Sequence, residues 1–479
     1  MFLGIDIGTS GVKAVLIDAS GTVAAQASAP LSVSRPQPLW SEQDPDHWCM
    51  ATDAAVLALP ADLRAQVQGI GLAGQMHGAT LLGADDQPLR PAILWNDGRS
   101  FAECAELEAA VPDLHGIAGN LAMPGFTAPK LAWVRRHEPE LFAQVRTVLL
   151  PKDYVRLWLS GDKASDLSDS AGTLWLDGTK RDWSDELLAA TGLTRAAMPA
   201  LYEGTQATGQ LSAQQAARWG MAQVPIAAGA GDNAAGAVGV GVIGEGDALL
   251  SLGTSGVIFV ATDSFRPNPA GAVHAFCHCL PGMWHQMSVH LSAASCLDWA
   301  AAALGMDVPA MLDAAEQAGP GNGPELFLPY LSGERTPHND PHIRAAWLGL
   351  SNDSTPGRLA AAVLEGVAFA HADGLAALQG AGTRIERLSV IGGGARSRHW
   401  GGIFAAALGV TLDYLDGGEV GPALGAARLA RIAVSGQSPE AACPRPPVLA
   451  SIAPDPALAA RLAPKLEKFR AAYPALKNL

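Results

Sequence analysis

Charge is scarce in this sequence and has the wrong sign for binding polyanions. Only 16% of residues are Asp, Glu, Lys or Arg, and 46 acidic against 32 basic residues leave a formal charge of −14. Such a field repels phosphate backbones and anionic headgroups, which argues against nucleic acid or a membrane surface as a partner. Cysteine is equally sparse: Cys49, Cys104, Cys277, Cys279, Cys296 and Cys443 are scattered along 479 residues, which does not make a disulfide scaffold and suits a reducing, cytoplasmic location. Cys277-His278-Cys279 lacks the spacing with which two thiolates grip one zinc ion. No stretch of some 18 residues is free of Gly, Pro and charge. Residues 1–11, MFLGIDIGTSG, also lack the basic and then apolar order of a secretory signal.

Apolar residues, by contrast, make up 49% of the chain, enough for a globular protein, and the length exceeds what one core holds. Two large domains are expected. LGIDIGTSGVKAVLID at 3–18 has β-branched residues on both sides of a Gly-Thr-Ser-Gly turn and reads as a hairpin. ALLSLGTSGVIFVAT at 248–262 repeats it, placing Gly253-Thr254-Ser255-Gly256 over Gly8-Thr9-Ser10-Gly11 and Ser251 over Asp6. The repeat predicts a duplicated α/β fold with a hinge at Gly244–Gly246, a first domain over 1–244 and a second over 245–436. A Pro- and Ala-rich connector follows to about 456, then a last helix at 457–472, so that 437–479 packs back on the body. Leu359, Val363, Leu364, Val367, Ala370 and Leu375 recur at helical spacing, giving a helix over 357–378 with one buried face. A further helix over 423–436 ends at Gly436.

Four groups of residues carry chemistry. In the first hairpin, Gly8, Thr9, Ser10 and Gly11 offer turn amides and hydroxyls beside the Lys13 ammonium, a cradle for anionic oxygens, and Asp6 precedes the turn where a carboxylate can hold a divalent cation. The copy supplies Gly253, Thr254 and Ser255. In GAGDNAAGAVGVG at 229–241, Asp232 stands at a strand-to-helix transition among small residues. It is either a helix cap or a general base taking a proton from a sugar hydroxyl, and the excess of small neighbours favours the base. IGGGARSRHW at 391–400 has neither dinucleotide nor P-loop spacing; Gly392, Gly393 and Gly394 either let the flat face of adenosine approach the backbone or serve β–α packing alone. Gln75, Met76 and His77, with Trp95, Asn96, Asp97 and Arg99, mix donors, acceptors and an aromatic face as a polyol pocket does. YLSGERTPHND at 330–340 is a polar loop, either a solvated turn or a flap over the nucleotide.

Paired phosphate hairpins resemble those of the actin, hexokinase and sugar-kinase superfamily. The whole order of motifs, with PGFTAPKLAWVRRHEPE at 124–140 and LEGVAFAHADGLAALQ at 364–379, is similar to the FGGY family of carbohydrate kinases over nearly the entire chain. WSEQDP at 40–45, AGQMHGATLL at 73–82, RPAILWNDGR at 90–99, LPKDYVRL at 150–157 and YLSGERTPHN at 330–339 look like family members acting on D-xylulose. The resemblance implies two duplicated actin-like (ribonuclease H-like) ATPase domains with a catalytic cleft between them, and ATP and Mg2+ as cofactors. It further implies Asp232 as catalytic base, Asp6 organising the metal, Met76, His77, Trp95, Asp97 and Asn233 contacting the ketose, the Thr9 to Gly11 and Gly253 to Ser255 turns holding phosphates, and Gly392 to Gly394 with Arg396 on the adenosine side. The expected product is D-xylulose 5-phosphate, and a homodimer is a family-level expectation. A sibling kinase for another ketose or polyol, or a non-catalytic actin-like ATPase, shares parts of this pattern.

Overall fold

A computed structural model describes residues 1–416 and 421–478. Two seven-stranded sheets organise the molecule. In chain order the first is built from β1 (Phe2–Ile7), β2 (Gly11–Ile17), β3 (Val23–Pro30), β4 (Gly69–Gly74), β5 (Ala207–Gln210), β6 (Pro225–Ala227) and β7 (Ala230–Gly231). The second comprises β8 (Ala248–Leu252), β9 (Gly256–Thr262), β10 (His274–Cys277), β11 (Trp284–His290), β12 (Arg387–Ile391), β13 (Thr411–Leu415) and β14 (Val448–Ile452).

The spatial order β3-β2-β1-β4-β6-β5 in one sheet is matched by β11-β9-β8-β12-β13-β14 in the other. In both, the successive pairings run antiparallel, antiparallel, parallel, parallel, antiparallel. The duplication legible in the two hairpins therefore extends to the whole topology. β7 adds beside β4, and β10 extends the second sheet at β11.

Helices α1 (Asp232–Gly239), α2 (Ser295–Leu304), α3 (Pro356–Gly380), α4 (Arg398–Leu408), α5 (Pro422–Ser435) and α6 (Pro456–Leu476) matter most for the site. α5 belongs to the second half in sequence but lies across β1 and β4 of the first sheet and against α1. The approach is close enough that a Cβ on Gly425 would sit 1.8 Å from the Ala235 carbonyl oxygen. One apolar cluster also joins the halves, bringing Met76, Phe126 and Trp175 against Leu249, Phe259, Phe276 and Met287.

Two expectations change. α3 is buried nearly all round, not on one face. Its composition would let it cross a membrane, with a mean hydropathy of 1.3 in its most apolar window, yet 83% of that window lies inside the protein. The stretch read as a connector holds β14, which pairs with β13 at the sheet edge; four of its five residues are exposed, so it has no alternation of buried and exposed residues to announce it. α6 then packs on α3 and α4, with Lys465 ion-paired to Glu365 at 2.5 Å.

Candidate active site

Each hairpin turn is pinned from behind through its carbonyls. In the first, Gly8 N–H donates to Gly11 O at 3.0 Å, Gln43 Nε2 donates to Thr9 O at 2.7 Å and Leu31 N–H to Ser10 O at 2.9 Å. In the second, Ala294 N–H donates to Gly253 O at 2.8 Å, and Ala293 N–H and Ser295 Oγ reach Thr254 O at 2.9 and 2.8 Å. In a planar trans peptide, N–H and C=O point in opposite directions. Carbonyls drawn into the protein thus turn the Ser10 and Gly11 amides, and those of Thr254 and Ser255, to the other side. Thr9 Oγ1 is itself engaged, donating to Gln75 Oε1 at 2.9 Å and accepting from Trp95 Nε1 at 3.0 Å. Gln43 went unassigned in the sequence because an isolated Gln side chain gives no motif, whereas Gln75, read there with the polyol pocket, is buried and bonds Thr9 and Gln43 behind the turn instead.

Asp6 and Lys13 are opposite one another in the β1–β2 ladder. Asp6 Oδ1 is buried with no hydrogen-bond partner. Burial first, and then the nearby Asp232 charge, pushes its carboxyl up to about 7, against the pull of Lys13. Asp232 is the first residue of α1, one place beyond the cap position held by Gly231. Its Oδ1 accepts from Asn233 N–H at 2.7 Å and Asn233 Nδ2 at 2.9 Å, so it does not reach into the helix as a capping carboxylate does. Burial raises it to about 6, with the Asn233 bonds opposing. Behind it, Gly231 N–H donates to Ser168 Oγ at 3.1 Å, Ser168 Oγ donates to Asp166 at 2.5 Å, and buried Lys152 bonds Asp166 and Asp153 at 2.9 and 2.6 Å.

A cavity of about 280 Å³ opens between the halves and gathers Met76, His77, Trp95, Asp232 and Asn233 from the first with Ser251, Gly253 and Ser255 from the second. His77 has φ 68°. Its Nδ1 lies 2.5 Å from Gly172 O, and Lys130 Nζ holds its carbonyl at 2.8 Å. Burial lowers the imidazole to about 3, so it is neutral. Because a carbonyl can only accept, Nδ1 carries the proton and Nε2 is left as an acceptor.

Asp97 is a correction. Its carboxylate is buried and taken up by Ser41 N–H at 2.6 Å and by Arg99 Nε and Nη2 at 2.9 and 2.7 Å, so it braces the loop bearing Trp95 and does not face the cavity. The loop around Glu334 is not a solvated turn: Glu334 is 2% exposed, and Arg335 enters the cavity that Gly253 and Ser255 also line. Phe126, His274, Phe276, Met287 and Val289 line it as well; only folding brings these core-type residues there. Gly392, Gly393, Gly394 and Arg396 lie outside the cavity, after β12, whose Ile391 is opposite Ser251. Packing accounts for Gly392, where a Cβ would meet Leu252 O at 2.7 Å, and for Gly394, but Gly393 faces open space.

A shielded carboxylate facing amide turns is what transfer of a phosphoryl group to a neutral hydroxyl asks of a protein. With the duplicated sheets, it defines a two-domain small-molecule kinase of the actin-like, ribonuclease H-like ATPase class. The chain belongs to the FGGY family of carbohydrate kinases: residues 1–239 match the family's N-terminal domain and 248–434 its C-terminal domain. It is 55% identical to a xylulose kinase of Escherichia coli (strain K12) over the full length of both chains. Among solved structures, it is similar to a xyloylose kinase from Brucella ovis at 51% identity, with a TM-score of 0.96 and 99% of each chain covered. Xylulose kinase from Rhodospirillum rubrum is similar at 31% identity, with a TM-score of 0.91 and 99% and 98% covered.

Proposed function

We propose that Asp232 is the general base in an ATP-dependent phosphorylation of D-xylulose, which yields D-xylulose 5-phosphate and ADP in D-xylose catabolism. One observation carries this most directly: Asp232, a half-buried carboxylate with one oxygen held by Asn233, lines a cavity shared by both halves. A carboxyl at about 6 is ionised at neutral pH and still basic enough to draw the proton from a sugar hydroxyl as it attacks the γ-phosphoryl group. His77 Nε2 accepts from another hydroxyl. Met76 and Trp95 pack on the carbon chain, and Asn233, which lines the cavity beside the base it orients, contacts the ketose as well.

The turns at Gly8 to Gly11, with Lys13, and at Gly253 to Ser255 hold phosphate oxygens from the two halves. The open face at Gly393, with Gly392, Gly394 and Arg396, takes adenosine. The orphaned buried Oδ1 of Asp6 fits a magnesium ion, which when bound would offset charge on the transferring group. Closure of the halves would exclude water, the competing acceptor. Six buried, unpaired cysteines accord with a cytoplasmic setting.

The test is ADP release with magnesium and ATP against D-xylulose, L-ribulose, glycerol and gluconate. D-xylulose should be preferred, and Asp232→Ala should lose roughly 10²–10⁴-fold in kcat. A fully active variant would mean that another group is the base, and preference for a different sugar would overturn the assigned substrate.

A further inference from the structure

Resting on that function, we propose that Arg335 determines specificity by reading the sugar's carbonyl group, and that Asn120 and His274 hold it in place. A 2-ketopentose closes into a furanose through its C5 hydroxyl, the group to be phosphorylated. The reactive form is therefore open-chain and presents a bare C2 carbonyl, an acceptor with no hydrogen. A group that only donates suits it. A C2 alcohol in the same position would leave its own hydrogen without an acceptor, which is costly in a buried site.

Arg335 has five N–H groups and no acceptor, and it is the one cation among the described residues lining the cavity, since burial keeps His77 and His274 neutral. No carboxylate among the described residues lies within ion-pair distance of it. The adjacent Glu334 is committed elsewhere, accepting from Leu291 N–H at 3.0 Å and from the Arg335 backbone at 2.8 Å, with His290 at 3.3 Å. A half-buried guanidinium so placed retains donors for a ligand.

Its orientation is preset. Asn120 Nδ2 donates to Ala118 O at 2.7 Å and Ala275 O at 2.9 Å, which makes its Oδ1 the acceptor facing His274 Nδ1 at 3.3 Å. The His274 proton therefore sits on Nδ1, and Nε2 accepts from Arg335 Nη1 at 3.3 Å. Asn120 comes from the first half and His274 and Arg335 from the second, so this chain of bonds couples the carbonyl reader to the docking of the halves.

The experiment compares kcat/KM for D-xylulose and for its C2 alcohol D-arabinitol. Arg335→Met should lower the value for D-xylulose by about 100-fold and that for D-arabinitol by less than about threefold, while Arg335→Lys keeps part of the preference. His274→Phe, which retains a ring but no acceptor, should show the same selective loss at about tenfold. Equal losses on both substrates, or none, would overturn the role of Arg335; if Arg335→Met does not fold, the ratios for Arg335→Lys and His274→Phe decide. Wild-type protein inactive on D-xylulose but active on another acceptor would overturn the assigned substrate and this inference together.

Discussion

Replacing Asn233 with alanine should move the acidic limb of the kcat/KM profile upward in pH. A carboxylate base works only when ionised, so with Asp232 in that proposed role activity should fall as pH drops through its pKa, which burial raises to about 6. Asn233 stabilises the ionised form through two bonds to Oδ1, and the substitution removes only the side-chain bond at 2.9 Å, leaving the backbone bond at 2.7 Å. A hydrogen bond to a charged group contributes about 1.5–3 kcal/mol, and one pKa unit corresponds to about 1.4 kcal/mol. The limb should therefore rise by about one to two units, to between about 7 and 8. Coupled ADP release at saturating ATP between roughly pH 5 and 9 measures it, with kcat/KM reporting the free enzyme. At pH 8.5 the variant should retain most of its activity, and at pH 6 it should lose most of it. A limb that stays in place or moves down would refute the assignment of Asp232 as base or of Asn233 as its partner.

Two further substitutions probe the supporting structure. A Cβ on Gly172 would lie 2.6 Å from His77 Cε1 and 2.9 Å from Met76 Cε, so Gly172→Ala should push both side chains into the cavity and raise KM for the sugar about tenfold, with little change in KM for ATP, as steady-state kinetics would show. Gly425→Ala places a methyl group against the backbone oxygen of Ala235, which cannot give way as a side-chain tip can. It should cost about 3 kcal/mol in denaturant unfolding and displace the helix bearing Asp232; a variant as stable as wild type would mean that the α1–α5 crossing is looser than described.

Local chemistry in the chain announces both hairpins, because glycine turns between β-branched runs act within a dozen residues, and their similarity implied the duplication that the two matching sheet orders display. Asp232, His77 and the glycines after β12 stood out for the same reason. Other features depend on neighbours distant in sequence. Asp97 resembles a pocket residue until Arg99 and Ser41 are seen to occupy its carboxylate. β14 becomes a strand only beside β13, and α5 belongs in sequence to one half while packing on the sheet of the other. Arg335 acquires a role only because Asn120, from the other half, fixes the tautomer of His274. By itself the sequence determined the fold, the family and the groups able to perform phosphoryl transfer, since periodicity and turn chemistry are short-range properties. Which of those groups face the cavity, and with what charge, was decided only by tertiary structure, because burial and hydrogen-bond partnership depend on contacts that folding makes, up to the 154 positions that separate Asn120 from His274.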